Sequence, residues 1–213
     1  MMINNKCQNF KAKNILFLGY SREETKLINF LNEKGCTVDN SEEIIVNNNY
    51  DMIISFGYKK IIKKQILEKI SCPILNLHIS YLPYNRGSHP NFWAFFDNTP
   101  SGVTIHQIDE GIDTGPILYQ KYVFFNRGEK TFKQTYERLK EEIEDLFIIN
   151  ANDILNFDYK PTNQLEKGTI HLKRDLPSEF SGWDSEIYTE IAKLRNTDIY
   201  RGISNLKSIG RNK

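Results

Sequence analysis

Two runs, Asn14–Gly19 and Asp51–Gly57, constrain the fold more than any other feature of the sequence. Each is apolar at consecutive positions, whereas a strand with one wet face alternates apolar and polar residues. Strands apolar on both faces belong to parallel sheets that helices cover above and below. A helix needs about 20 apolar residues to cross a bilayer, and these runs are far shorter, so they are read as buried strands. After the first, Ser21-Arg22-Glu23-Glu24 has the form of a capping box, and Leu27, Ile28 and Leu31 follow at helical spacing. The chain therefore opens as a strand followed by a helix.

The alternation continues. Val38 marks a short second strand, and the Asn-rich stretch Asn47-Asn48-Asn49 breaks the pattern before the third. Ile61–Ile70 reads as a helix, Pro73–His78 as a strand, and His89–Asn98 as an aromatic-rich helix. Ser101–Ile108 and Pro116–Phe125 read as two further strands, with Gly111 and Gly115 punctuating the loop between them. Thr131 and Gln134 cap a long helix whose apolar positions Phe132, Tyr136, Leu139, Ile143 and Phe147 recur every three or four residues. Beyond about Phe157 the periodicity fades, with Pro161, Gly168, Pro177 and Gly182 in mixed company. The expected organisation is a catalytic α/β domain over residues 1–155 and a C-terminal extension over 156–213. Trp183 and Tyr188 in that extension suggest a hairpin able to pair two subunits as a homodimer, and the basic end Arg201–Lys213 reads as a solvated tail.

Composition narrows the function classes. At 213 residues such a chain buries roughly 70% of its unfolded surface and needs no crosslinks. With 28 Lys and Arg against 27 Asp and Glu, no global field draws it to nucleic acid or to an anionic membrane, so an anionic ligand must be held locally. Three cysteines, Cys7, Cys36 and Cys72, without C-x-x-C spacing, speak against a disulfide framework and a structural zinc site. Met1–Lys13 is polar and has no apolar core of a secretory signal, which points to a reducing cytoplasm.

Chemistry concentrates between Ser55 and Leu118. Asn76 and His78, two apart on a strand, face the same side, at the strand end where open parallel sheets bind their ligands. Asp113, in Asp109-Glu110-Gly111-Ile112-Asp113-Thr114-Gly115, is flanked by glycines that let the backbone turn toward the same crevice. On residue types alone, His78, His89, His106 and Asp113 also suit a transition metal, and spacing does not exclude it.

These blocks resemble the formyltransferase family that uses 10-formyltetrahydrofolate. Asn76-Leu77-His78 with Leu82-Pro83-Tyr84-Asn85-Arg86-Gly87 matches its first motif, and Gly102–His106 with Asp113 ahead of Thr114-Gly115 matches its second. The segment Ser55-Phe56-Gly57-Tyr58 with Ile61-Ile62 resembles the wall of its pterin pocket, with Lys64 where a proline is common. The resemblance implies a Rossmann-like, mostly parallel sheet, 10-formyltetrahydrofolate as donor and no metal. It assigns catalysis to Asn76 as oxyanion donor, His78 as base toward the amine, and Asp113 as the group that orients His78 or relays a proton. Tyr58, Lys60, Ile61, Ile62, His106, Asp109 and Glu110 would hold the cofactor, although His106 also reads as a buried support and Asp109 and Glu110 as a solvated loop.

Among the family's acceptors, the run from Leu82 to Trp93 resembles most the enzymes that formylate the amine of a nucleotide-linked (dTDP or GDP) dideoxy amino sugar for bacterial surface polysaccharide. Arg86 would then pair with a diphosphate or brace its own loop; the aromatic cluster Phe92, Trp93, Phe95 and Phe96 reads mainly as core packing, with Asn91 or Trp93 the members that would line a substrate surface. Glycinamide ribonucleotide fits less well, because Gly19-Tyr20-Ser21-Arg22-Glu23-Glu24 is a poor phosphate cradle. Methionyl-tRNA fits less well, because residues 151–213 carry ten basic against nine acidic side chains. Hydrolysis of formyltetrahydrofolate and a non-catalytic binding module complete the alternatives.

Overall fold

The computed structural model describes residues 12–46, 49–165 and 167–196. Cys7, most of the polar leader and the basic stretch Arg201–Lys213 lie outside them. In chain order the elements are β1 (Asn14–Gly19), α1 (Leu27–Glu33), β2 (Thr37–Ser41), β3 (Met52–Phe56), α2 (Lys64–Leu67), β4 (Ile74–His78), β5 (Arg86–Gly87) and α3 (Pro90–Phe96). They continue as β6 (Gly102–Gln107), β7 (Ile117–Tyr122), α4 (Phe132–Ile149), α5 (Ala151–Asn156), β8 (Ile170–His171), a 3-10 turn at Lys173–Asp175 and α6 (Ile187–Arg195).

Six strands form one sheet in the order β2-β1-β3-β4-β6-β7. The first four are parallel, and β6 runs antiparallel to both β4 and β7, so the sheet is mostly parallel. Every residue of β3 is buried, as a run that is apolar except at Ser55 leads one to expect. One face carries the main core: Ile15, Phe17, Ile54, Phe56, Leu75, Leu77, Val103 and Ile105 pack against Leu27, Ile28 and Leu31 of α1 and Leu139, Ile143 and Phe147 of α4. Each fully buried side chain of this size stabilises by about 1.5–3 kcal/mol relative to exposure.

α4 begins where its sequence signature lies. Thr131 Oγ1 accepts from the Gln134 amide at 3.3 Å, and Gln134 Oε1 accepts from the Thr131 amide at 3.0 Å. The expected helix over Ile61–Ile70 shrinks to the single turn of α2, which has no side-chain cap and no buried residue to hold a longer helix in place. The Ser21–Glu24 signature makes only half of a box: Glu24 accepts from the Ser21 amide at 2.9 Å, a turn ahead of α1.

The largest departure from expectation lies after residue 156. The described part of the C-terminal segment is not a separate extension and forms no hairpin around Trp183 and Tyr188. Thr162 bridges to Ile117 of β7, and β8 pairs in parallel with β5 in a second, two-stranded sheet. Ile187, Ile191 and Leu194 of α6 join Phe92, Trp93, Phe96 and Phe132 in a second apolar cluster. Tyr188 is on the outer side of α6, and Trp183 packs on Phe180 and His89. Between β6 and β7 the pairing skips one residue: Ile105 faces Tyr119 and His106 faces Ile117, leaving Leu118 as a bulge.

Candidate active site

Alternation along the strands builds the site. On the face opposite the main core, Leu16, Leu18, Ile53 and Ile74 form an apolar patch. Toward the ends of β3 and β4, and on β6 beside them, that patch gives way to Ser55, Asn76, His78, Thr104 and His106, the polar members of the same alternation. Register sets their neighbours: Ser55 lies beside Asn76 across the parallel pair, and Asn76 lies opposite His106 across the antiparallel one.

The Asn76 amide is at the centre. Its Oδ1 accepts from the Ser55 hydroxyl at 2.9 Å, while Nδ2 lies 3.1 Å from His106 Nε2 and 3.2 Å from Asp113 Oδ1. A carboxylate only accepts, so the nitrogen must face Asp113. His106 Nδ1 is 2.8 Å from the Gln107 carbonyl and must donate to it, leaving Nε2 to accept from Asn76. His106 is 1% exposed.

Asp113 arrives from the loop after β6 with φ 51°, a left-handed conformation that Asp tolerates better than most residues. Its Oδ2 accepts from the Gly87 amide at 2.8 Å and faces His78 Nδ1 at 3.7 Å. His78 Nε2 lies 3.2 Å from the Asn85 carbonyl, so the neutral ring carries its proton there and turns a bare Nδ1 to the carboxylate. Burial pushes the His78 pKa below the ordinary 6.5, against the upward pull of Asp113, and keeps the ring neutral at pH 7. For Asp113, burial acts upward, but the neighbouring His78 and His106 and the Gly87 amide outweigh it, so the carboxyl lies below the usual carboxylate range and stays ionised.

Asn76, His106 and Asp113 line a cavity of about 390 Å³, within the range of ligand pockets. One wall is Tyr58, Lys60, Ile61 and Ile62, with Asp109 beside them. Lys60 is ion-paired with Glu43, and Ile61 is 72% exposed, ready for apolar contact. Asp109 accepts from the Gly111 amide and the Thr114 hydroxyl, which shapes the loop, and Glu110 pairs with Lys64 outside the cavity. His78 stands behind Asp113, 7% exposed, and does not line the space itself.

Three expected substrate contacts are internal to the protein. Arg86 donates through Nε and Nη2 to Gln164 Oε1 at 3.1 and 2.7 Å, and through Nη1 to the Lys167 carbonyl, which is the loop-bracing alternative. Asn91 is 4% exposed and ties α3 to α4 through the Phe132 carbonyl and Thr135 hydroxyl. Trp93 is 4% exposed and stacks on His171 at 3.8 Å. The face of α3 that the sequence left open is covered by α6 and β8, elements that carried no legible pattern.

The cavity is also lined by residues to which the sequence reading gave no contact role: Gly87, Ser88 and Ile112, with Leu172 and Lys173 from the C-terminal segment. Gly87 has φ 88°, and a Cβ there would sit 2.2 Å from the His171 carbonyl, so the β5–β8 contact requires glycine. Ser55 had a signal, being the one polar residue in an otherwise apolar strand. Leu172 and Lys173 had none. His89 stands at the start of α3, its ring on Trp183, away from the imidazole pair. Among the described residues no group of three or more His, Cys, Asp or Glu is placed to hold a metal ion, and no helix is long and apolar enough to cross a membrane.

Comparison with known proteins agrees with this geometry. The formyltransferase PseJ from Anoxybacillus kamchatkensis, solved with UDP-4,6-dideoxy-4-formamido-L-AltNAc and tetrahydrofolate, superposes with a TM-score of 0.76 at 38% identity, over 84% of this chain and 98% of that one. A dTDP-4-amino-4,6-dideoxyglucose formyltransferase of Mycobacterium tuberculosis is 29% identical over 127 residues, 60% of this chain and 53% of its own length. A methionyl-tRNA formyltransferase of Thermodesulfovibrio yellowstonii is 43% identical over 133 residues, 62% of this chain and 39% of its own length. The chain thus spans about half or less of the curated relatives it matches. The sequence pattern described as formyl transferase matches residues 8–150, which take in both polar motifs, the sheet and all of α4, and on that match the chain belongs to the formyl transferase family.

Proposed function

We propose that this protein transfers a formyl group from 10-formyltetrahydrofolate to the amine of a nucleotide-linked 4-amino-4,6-dideoxy sugar. The observation that carries the reading is the meeting of Asn76, His106 and Asp113 at one cavity, with His78 directly behind. The cavity suits a reduced pterin: Ile61, Ile62, Ile108 and Ile112 offer apolar contact to a flat ring, and Asn76, His106 and Asp109 offer polar partners for its edge. The folate supplies the formyl carbon as an activated amide.

The protein's part follows from its protonation states. Because His78 lies behind Asp113, the proton that the sugar amine loses on attack passes by way of the Asp113 carboxylate to the neutral His78 Nδ1, and the resulting imidazolium is stabilised by the ionised Asp113 beside it. The Asn76 N–H that faces Asp113 at 3.2 Å is shared with the oxygen that gains charge at the reacting carbon. His106 and Ser55 fix the amide orientation for that role. His78, now protonated, returns the proton along the same path through Asp113 to the departing nitrogen.

The 4-amino position is supported by the sugars named for PseJ and the mycobacterial relative. The nucleotide, whether UDP, dTDP or GDP, is left to assay. Transfer to methionyl-tRNA is the second reading because of the 43% identical relative, but ten basic against nine acidic side chains over residues 151–213 give that stretch little net attraction for RNA. A cytoplasmic location agrees with the free thiols of Cys36 and Cys72 and with acceptors built on nucleotides. A product for surface polysaccharide goes with the same acceptor class. The homodimer expected from sequence loses its hairpin, and light scattering on the purified chain decides the assembly state.

The test is incubation of purified protein with 10-formyltetrahydrofolate and UDP-, dTDP- and GDP-linked amino sugars, methionyl-tRNA and glycinamide ribonucleotide, scored by mass. Gain of one formyl group on a sugar nucleotide is expected. Formylation of the tRNA alone, or formate release without any acceptor, would overturn the reading.

A further inference from the structure

The loop bearing Asp113 is held from outside the segment that the family match covers. Gln164 donates from Nε2 to the Asp113 carbonyl at 3.0 Å and to the Gly115 carbonyl at 2.8 Å, bridging the two ends of the Asp113-Thr114-Gly115 turn. Its Oε1 accepts both Nε and Nη2 of Arg86, at 3.1 and 2.7 Å. All the hydrogen-bonding capacity of the amide is engaged, and the Arg86 fork dictates which end is oxygen, because guanidinium only donates. Gly87, next after Arg86, donates to Asp113 Oδ2. Residues 86 and 87 thus hold Asp113 twice, through its side chain directly and through its main chain by way of Gln164.

The geometry points to Gln164 as a positioning residue that, braced by Arg86, holds the left-handed Asp113 backbone so that its carboxylate faces His78 Nδ1. Gln164 lines no part of the cavity and touches no reacting group, so any effect on turnover must pass through Asp113. Asp113 prefers to leave φ 51° when unsupported, since a left-handed backbone is the less favourable state for a residue with a Cβ. The charged and titratable groups around Asp113 are His78 and His106, with Arg86 one residue beyond Gly87. Relaxation of the turn therefore moves the carboxylate away from the imidazole it faces. The effect on turnover rests on the formyl-transfer reading, but the placement of the carboxylate does not.

Four variants test this on the full chain: Gln164→Ala, Gln164→Glu, Arg86→Lys and, as reference, Asp113→Asn. In formyl transfer, Gln164→Ala should lower kcat by about 10²-fold with little change in either KM, the loss typical of a misplaced catalytic group. Gln164→Glu sets acceptor oxygens against two carbonyls and should lose more than the alanine variant. Arg86→Lys keeps the charge without the fork and should fall between the alanine variant and the native protein. Independently of activity, NMR titration of the His78 ring in ligand-free protein should give a lower pKa in Gln164→Ala, shifted in the same direction as in Asp113→Asn, because the carboxylate that favours the charged ring has withdrawn. An unmoved His78 titration in Gln164→Ala overturns the proposal, whether or not kcat falls, because a fall alone would then be general loosening. If the native protein formylates nothing, the functional reading fails, and the NMR arm still decides the role of Gln164. Should Gln164→Ala not fold, as judged by thermal melting, the same titration on Arg86→Lys decides it.

Discussion

The main sheet core and the wrap formed by residues 157–196 are held by different means. In the core, Phe17, Phe56 and Phe147 are fully buried among aliphatic neighbours, and regular backbone pairing does the rest. In the wrap, strand pairing is reduced to the two-residue β8 and isolated bridges at Thr162 and Glu186, and side-chain hydrogen bonds supplement it: Thr169 with Asn85, Gln164 with Arg86, and His171 with Asp97 at 2.8 Å. Both regions reach the cavity, the sheet through Ser55, Asn76 and His106 and the wrap through Leu172 and Lys173. Burial along a continuous sheet keeps the core together, whereas the wrap rests on the smaller apolar cluster around Phe92 and α6 and on a few hydrogen-bonding groups that can each be removed singly.

The largest effect should come where the two regions meet. Asp113→Asn keeps the turn, since Asn also tolerates the left-handed region, and removes the charge facing His78. We expect kcat to fall by about 10²–10⁴-fold with the melting temperature nearly unchanged, measured by formyl-transfer assay and calorimetry. A near-native rate would break the link between His78 and the wrap-held loop. Next, Phe147→Ala in the sheet core should cost about 3–5 kcal/mol in denaturant unfolding. Phe92→Ala, in the second cluster, should instead release the wrap first, with hydrogen exchange at residues 162–172 rising before that of β3. Equal protection of both regions in Phe92→Ala would show that they unfold as one.

A smaller effect is one of pH. Burial holds His78 below 6.5, so the unprotonated base persists as pH falls to that value, and kcat/KM should decline only as pH drops further, through the folded-state pKa. A limb at or above 6.5 would mean that the ring is less buried than its surroundings indicate. Smallest of all, Thr131→Ala removes one half of the α4 capping box and should cost about 1 kcal/mol, without moving the pH limb.

The same contrast explains what was legible in the sequence. The apolar runs of β1 and β3, the i and i+2 placement of Asn76 and His78, and the Thr131–Gln134 box each carry their meaning within a few residues, because strand alternation and helix capping are local rules. Asn91 and Trp93 are internal for the complementary reason: whether α3 has an open face depends on distant elements, with α4 engaging Asn91 and His171 of β8 covering Trp93. Gln164 and Lys173 gave no sign, because a lone amide or ammonium in an irregular segment acquires a role only from what folds against it. The reversal of β6 was equally hidden, since an apolar run does not state its direction.

The bulge at Leu118 gives chain length near the site a meaning of its own. β6 must present His106 to Asn76 on one side while remaining zipped to β7 on the other, and a single surplus residue absorbs the mismatch. Deleting that residue would draw the Asp113 turn one step along the edge strand, since Pro116 is tied to Gln107 and Gly115 to Gln164. Insertions and deletions between residues 108 and 118 are therefore a harsher perturbation of this protein than most substitutions there, because the spacing is counted from both ends.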